Sequence, residues 1–310
     1  MMNFRFSIVV PVYRGNSSLE DIVTISEEIY HDNLVEIIFV FDGGEPYSWE
    51  KISELASKYK KVKAIKLSRN FGQHNATICG FDFVKSNYVI TMDEDLQHHP
   101  KSIQQLIETQ IKSNSDLVYG IYKERSHNWF RNITSSVLKL ILKIGMPKLH
   151  QDYTSFRLIK SKIAKETINM CNSYTFLDGY LSWITSNISS VKVMHYQSVE
   201  GKSSYSTVKL IKHTLNIFLT FSTLPIRFLT IISFLFFTFS SSYTIYIIIS
   251  KLLNENYAAG FPTLITFLGF GFGFVLLGMG ILGEYIQRIN QKTTNRPNFI
   301  VTQIIDDSIQ

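Results

Sequence analysis

Two carboxylates one residue apart, Asp93 and Asp95, directly follow the apolar run Tyr88 to Met92 in the stretch Tyr-Val-Ile-Thr-Met-Asp-Glu-Asp-Leu-Gln. In an extended or tightly turned backbone their side chains converge on one hard divalent cation of the Mg2+ or Mn2+ type, bound through oxygen. Such a cation would hold a diphosphate. An acidic turn capping a helix that starts near Pro100 uses the same tripeptide, so the motif needs the support of its surroundings. Upstream, Leu67 to Gln73 reads Leu-Ser-Arg-Asn-Phe-Gly-Gln, and Asp42 stands between an apolar run and Gly43-Gly44.

The elements that carry these residues alternate. Apolar runs at Phe6 to Val12, Glu36 to Phe41, Val62 to Leu67, Tyr88 to Met92 and Asp116 to Gly120 are separated by helical patterns. The helices are expected from about Ser17, over Ser48 to Lys58, Gln73 to Lys85 and Pro100 to Lys112. That rhythm predicts an α/β domain with a mostly parallel sheet. Open sheets of this kind place their ligand crevice outside the carboxyl ends of the strands, where Asp42, Asp93 and Asp95 fall.

The chain has 310 residues, is 45% hydrophobic, and has room for one such domain and more. Phe228 to Ser250 and Phe261 to Gly283 carry no charge up to Gly283 and are each long enough to cross about 30 Å of hydrocarbon. They predict a transmembrane hairpin. Arg227, Arg288, Lys292 and Arg296 flank it, against Lys251 in the connecting loop, so both termini and the catalytic domain are expected in the cytoplasm. The run Ile8 to Val12 is short and holds Pro11, so it reads as a strand and not as a signal core. Cys79 and Cys171 have no zinc or redox spacing and read as buried thiols. The net charge of +6 suits an anionic membrane surface and phosphate-bearing substrates. No concentrated Lys/Arg block points to nucleic acid.

Residues 128–147 and 207–221 are amphipathic, and a helix on the membrane surface is weighed for each against ordinary core packing. Gly269 and Gly273 make a small-xxx-small face suited to packing on the first span or on a neighbouring subunit. The domain boundaries expected are 1–205 for the cytosolic domain, 206–227 for an amphipathic juxtamembrane segment, 228–283 for the hairpin (228–250 and 261–283), and 284–310 for a cytosolic tail.

Taken together, Leu67 to Gln73 and Met92 to Gln97 resemble the family-2 glycosyltransferases, above all the polyprenyl-phosphate glycosyltransferases. Further echoes run along nearly the whole chain: Ser155-Phe156-Arg157-Leu158, Gly201 to Ser206, Gly283-Glu284-Tyr285 and Arg296-Pro297-Asn298-Phe299-Ile300-Val301. The chain departs from the family wording at Arg14, Gly15, Phe41, Tyr122 and Ser204. The resemblance implies a GT-A-type nucleotide-binding domain with amphipathic interfacial helices, a bacterial inner-membrane location and a homotetramer. It implies inverting, metal-dependent transfer of a sugar from a nucleotide-diphosphate donor, a UDP-sugar by preference, to undecaprenyl or another polyprenyl phosphate, for surface glycans such as O-antigen.

The residues then take roles. Asp93, Asp95 and Gln97 would hold Mg2+ or Mn2+; Pro11, Tyr13, Asp42, Gln73 and Asp93 would bind the nucleotide, with the Asp42 carboxylate accepting a base imino N–H. Lys123, Arg125, Arg131, Arg157 and Lys202 are the cations for the acceptor phosphate, and Arg157 counts with Asp93 and Asp95 as catalytic. Two other readings stand beside this one. A hydroxyl acceptor would need a base, for which Asp178 is placed, and a non-catalytic membrane scaffold would fit the departures from the family wording.

Overall fold

The computed structural model describes residues 4–14, 18–122, 143–170, 174–194, 215–253, 260–293 and 297–306. Strand β1 (Phe6–Val12) is buried along its whole length. It lies between β2 (Leu34–Phe41) and β4 (Tyr88–Thr91), both parallel to it, and β3 (Val62–Leu67) continues the parallel block beside β2. Their near-continuous apolar sequences are what strands covered on both faces require. Alternate side chains serve two layers. Phe6, Ile8, Ile37 and Phe39 pack with α1 (Ser18–Tyr30), α2 (Pro46–Lys58) and α4 (Ile103–Ser113), while Val9, Ile38 and Val40 pack with α3 (Gln73–Asp82).

The sheet is wider than the sequence pattern indicates. Its order is β7-β5-β6-β4-β1-β2-β3-β8, with β5 at Leu117–Tyr122, β6 at Arg157–Lys160, β7 at Ile188–Val193 and β8 at Val301–Ile305. β6 runs antiparallel between β4 and β5, and β8 antiparallel to β3, so the sheet is mixed around its parallel centre. Two short helices, α5 (Ser161–Glu166) and α6 (Leu177–Ile184), cover the β6 side on the α3 face. Cys79 is buried there, and burial pushes its thiol up to about 12.

Two long helices follow, α7 (Leu224–Leu253) and α8 (Phe261–Thr293). Both contain a stretch long and apolar enough to cross a membrane, Leu224–Tyr243 and Phe270–Asn290, with neither stretch buried by protein. α8 continues past Gly283 to Thr293, and β8 then pairs with β3 at the edge of the sheet. The helices meet through Phe236, which stacks on Phe267 and Phe274 at 5.5 and 6.0 Å. Gly271 lies beside Phe236 and Gly278 beside Leu229, whereas Gly273 has nothing within 4 Å. Among the described glycines, Gly271 and Gly278 face α7, and a Cβ on Gly273 would meet open space. Of the two amphipathic segments, 143–147 and 215–221 are described, and 215–221 is helical with Leu215 exposed and Ile217 buried.

Candidate active site

β1 has β2 on one side and β4 on the other, so the strand order reverses beside β1 and a crevice opens beyond the carboxyl ends of these parallel strands. Three loops meet there. Asp42 ends β2 and is buried; its Oδ1 accepts the Phe71 N–H at 2.7 Å and its Oδ2 the Gly72 N–H at 2.8 Å. Burial raises the Asp42 carboxyl and these two backbone bonds work against it. Asp42 thus holds the loop before α3 while lining the cavity, and each carboxylate oxygen keeps a second lone pair. Gly43 has φ +66° and a Cβ on it would press on the Arg69–Asn70 backbone, and one on Gly44 would collide with the Tyr13 carbonyl. The glycines let the three loops touch.

Asp93, just past β4, is fixed from two directions. Gln73 Nε2 at the start of α3 donates to Oδ1, and Ser155 Oγ donates to Oδ2 at 2.6 Å. Its backbone N–H donates to His98 Nδ1 at 3.2 Å. His98 Nδ1 also lies 3.5 Å from Asp93 Oδ2. His98 is buried and stacks on Phe156 at 5.1 Å. Asp95 Oδ1 accepts the Gln97 N–H at 3.1 Å, closing a tight turn through Leu96 at φ +58°. Between the two aspartates, Glu94 accepts the backbone N–H groups of Tyr13 and Arg14, each at 3.1 Å, and so ties the β1 loop to the acidic turn.

Six residues singled out in the sequence, Pro11, Tyr13, Asp42, Gln73, Asp93 and Asp95, line one cavity of about 380 Å³. A second cavity of about 160 Å³ shares Pro11, Gln73 and Asp93 with it and is walled by Tyr153, Ser155, Arg157, Phe176 and Asp178. Arg157, in β6 opposite Thr91, is buried and gives Nη1 to Asp178 Oδ1 at 2.7 Å. Tyr119 OH donates to the same oxygen at 2.8 Å. Burial pushes the Asp178 carboxyl up, and the Arg157 charge opposes that. Asp178 is thus the counter-ion that compensates the buried Arg157 charge. Lys123, Arg125, Arg131 and Lys202 lie outside the described residues. Gln97 is not in the lining of either cavity, and its backbone N–H closes the acidic turn on Asp95.

The donor set fits a divalent cation. Asp93 and Asp95 face one cavity, and burial first, then the Asp93 charge, raises the Asp95 carboxyl, a repulsion that a cation relieves. Among the described residues no lysine or arginine pairs with either, and no group of three metal-ligating side chains forms. Mg2+ is commonly held by one or two carboxylates together with substrate phosphates, which this arrangement allows. Glu94, Ser155 and His98 are the site residues that sequence reasoning passed over.

Residues 7–169 match the sequence model of glycosyl transferase family 2. The undecaprenyl-phosphate 4-deoxy-4-formamido-L-arabinose transferase of Edwardsiella ictaluri is 30% identical over 305 residues, covering 96% of this chain and 94% of that one. The SfII prophage-derived bactoprenol glucosyl transferase of Shigella flexneri is 30% identical, covering 96% of this chain and 97% of its own. Among solved structures, glucosyl-3-phosphoglycerate synthase from Mycobacterium tuberculosis, solved with Mn2+, UDP-glucose and phosphoglyceric acid, superposes with a TM-score of 0.53 at 15% identity. It covers 71% of this chain and 79% of its own length, a likeness of fold.

Proposed function

The chain belongs to glycosyl transferase family 2, and from that we propose that it transfers a sugar from a nucleotide-diphosphate donor, a UDP-sugar, to a polyprenyl phosphate such as undecaprenyl phosphate, with inversion at the anomeric carbon. The observation that carries this reading is the extent of the similarity. Relatives named for undecaprenyl phosphate and bactoprenol align over 96% of the chain, a share that cannot leave out either long helix. Helices α7 and α8 then span the cytoplasmic membrane, with the catalytic domain on the cytosolic side.

In this reading the larger cavity takes the nucleotide diphosphate, and the smaller one, across Asp93, takes the sugar and the acceptor phosphate. An acceptor oxygen attacks the anomeric carbon as its bond to the diphosphate breaks, and the nucleoside diphosphate leaves with the electron pair. No side chain has to remove a proton, since a phosphate monoester with a second pKa of about 6 is largely ionised at neutral pH. Asp93 and Asp95 would hold Mg2+ or Mn2+, which when bound offsets charge growing on the leaving diphosphate. Gln73 and Ser155 keep the Asp93 carboxylate in one orientation. Glu94 holds Tyr13 at the mouth of the larger cavity.

The test is incubation of the detergent-purified protein with undecaprenyl phosphate, Mg2+ or Mn2+ and a panel of UDP- and GDP-sugars, read by mass spectrometry for a sugar-linked lipid, with Asp93→Asn as control. A cation-dependent product from one donor identifies reaction and sugar together. Product on a hydroxyl acceptor instead of the lipid phosphate would overturn the acceptor.

A further inference from the structure

Two apolar side chains of the catalytic domain stay open to solvent beside the segment that leads into α7. Trp183, near the end of α6, is 50% exposed and Ile144 is 57% exposed. They flank the short helix at 215–221. Its Phe221 ring lies 4.8 Å from that of Trp183 and also packs on Phe176 and Tyr180. On the other side, Gly145 abuts Phe218 and Ser222 so closely that a Cβ there would clash. The helix is also pinned by α8, where Tyr285 OH donates to the Ser222 carbonyl and Arg288 Nη1 to Thr220 Oγ1 at 2.6 Å.

This fixes a level. α7 begins three residues after Phe221, a reach of no more than about 10 Å even for an extended chain, which puts Phe221 next to the headgroup layer that borders the hydrocarbon. Trp183, packed against Phe221, lies at the same level. A half-exposed indole is favoured there because its ring is apolar while its N–H keeps a polar partner. Lys143 and Lys148, exposed on either side of Ile144, supply cations for anionic headgroups.

We propose that Trp183 and Ile144 form a shallow insertion surface that seats the catalytic domain on the anionic headgroup layer of the bilayer. Phe176 is shared between the Phe221 cluster and the wall of the Arg157–Asp178 cavity, so seating this surface sets that cavity close to the lipid phosphates. The inference rests on α7 and α8 spanning the membrane.

The experiment uses full-length protein in phosphatidylglycerol and phosphatidylcholine vesicles, with Trp49→Phe and Trp129→Phe leaving Trp183 as the sole tryptophan. Lipids brominated near the top of the acyl chains are expected to remove half or more of its emission, while aqueous iodide quenches it weakly. Ile144→Trp, in a background where Trp183 is also phenylalanine, is expected to behave alike, and Phe234→Trp in α7 reports on the span itself. Trp183 and the introduced tryptophan at 144 open to iodide and untouched by bromolipid, with the α7 probe quenched, would overturn the surface alone. An α7 probe that bromolipid does not reach would overturn the spanning reading. Neither outcome depends on which sugar is transferred.

Discussion

Asp93 receives a hydrogen bond on each carboxylate oxygen, from Gln73 and from Ser155, so the group is held still before any substrate arrives. Asp93→Asn and Asp95→Asn are expected to lower turnover on the order of 100-fold or more, the scale for losing one electrostatic stabiliser of a developing charge, with the melting temperature nearly unchanged. Ser155→Ala removes only an orienting bond and is expected to cost about 10-fold in activity, read as a higher metal requirement. Asp178 separates two accounts of the smaller cavity. Its replacement by asparagine leaves a buried guanidinium uncompensated, a loss of about 3–5 kcal/mol for breaking a buried pair, which calorimetry measures directly. Turnover retained by the folded variant would exclude a general-base role for Asp178.

At the scale of elements, the C-terminal strand is tied in more firmly than its short, half-polar sequence suggests. Lys63 Nζ, buried in β3, donates to Glu36 at 2.7 Å and lies 3.2 Å from Asp306, just past β8. Burial alone would lower the Lys63 ammonium, and the bonds to Glu36 and Asp306 outweigh it and hold it above its usual range. A raised lysine stabilises fully at neutral pH and loses that contribution only as pH rises through its folded value. Asp306→Ala is therefore expected to lower the melting temperature by several degrees at neutral pH, with the gap from the parent closing in strongly alkaline buffer. This strand also shows where sequence reading stops. β1, β2, β3 and β4 announce themselves because both faces are buried and almost every residue is apolar. Arg157–Lys160, Ile188–Val193 and Val301–Ile305 are short or half exposed, and each pairs with a strand at least 35 residues away in the chain (Tyr122 to Arg157 being the nearest ends), so no local period marks them. The site divides the same way. Asp42, Asp93 and Asp95 are visible as strand-end carboxylates, whereas Glu94, Ser155 and His98 act through backbone amides and a carboxylate brought near only by the fold.

For the whole molecule, chelation is the simplest probe of the metal reading. EDTA is expected to abolish turnover, Mg2+ or Mn2+ to restore it, and the unfolding transition to stay near where it was. That last point matters because the sheet and its two layers hold the acidic turn without requiring a cation as a ligand of the fold.

The position of β8 at the far side of the sheet, after both long helices, bears on how the protein is made. On the ribosome, β3 emerges more than two hundred residues before its partner and presents a row of unsatisfied backbone groups until then. In a chain whose helices enter the membrane, that partner arrives only after the hairpin has been inserted. On the proposed membrane-spanning reading, the sheet is completed last and at the bilayer, and a molecule that misses insertion is left with an open edge of the kind that chaperones and proteases find.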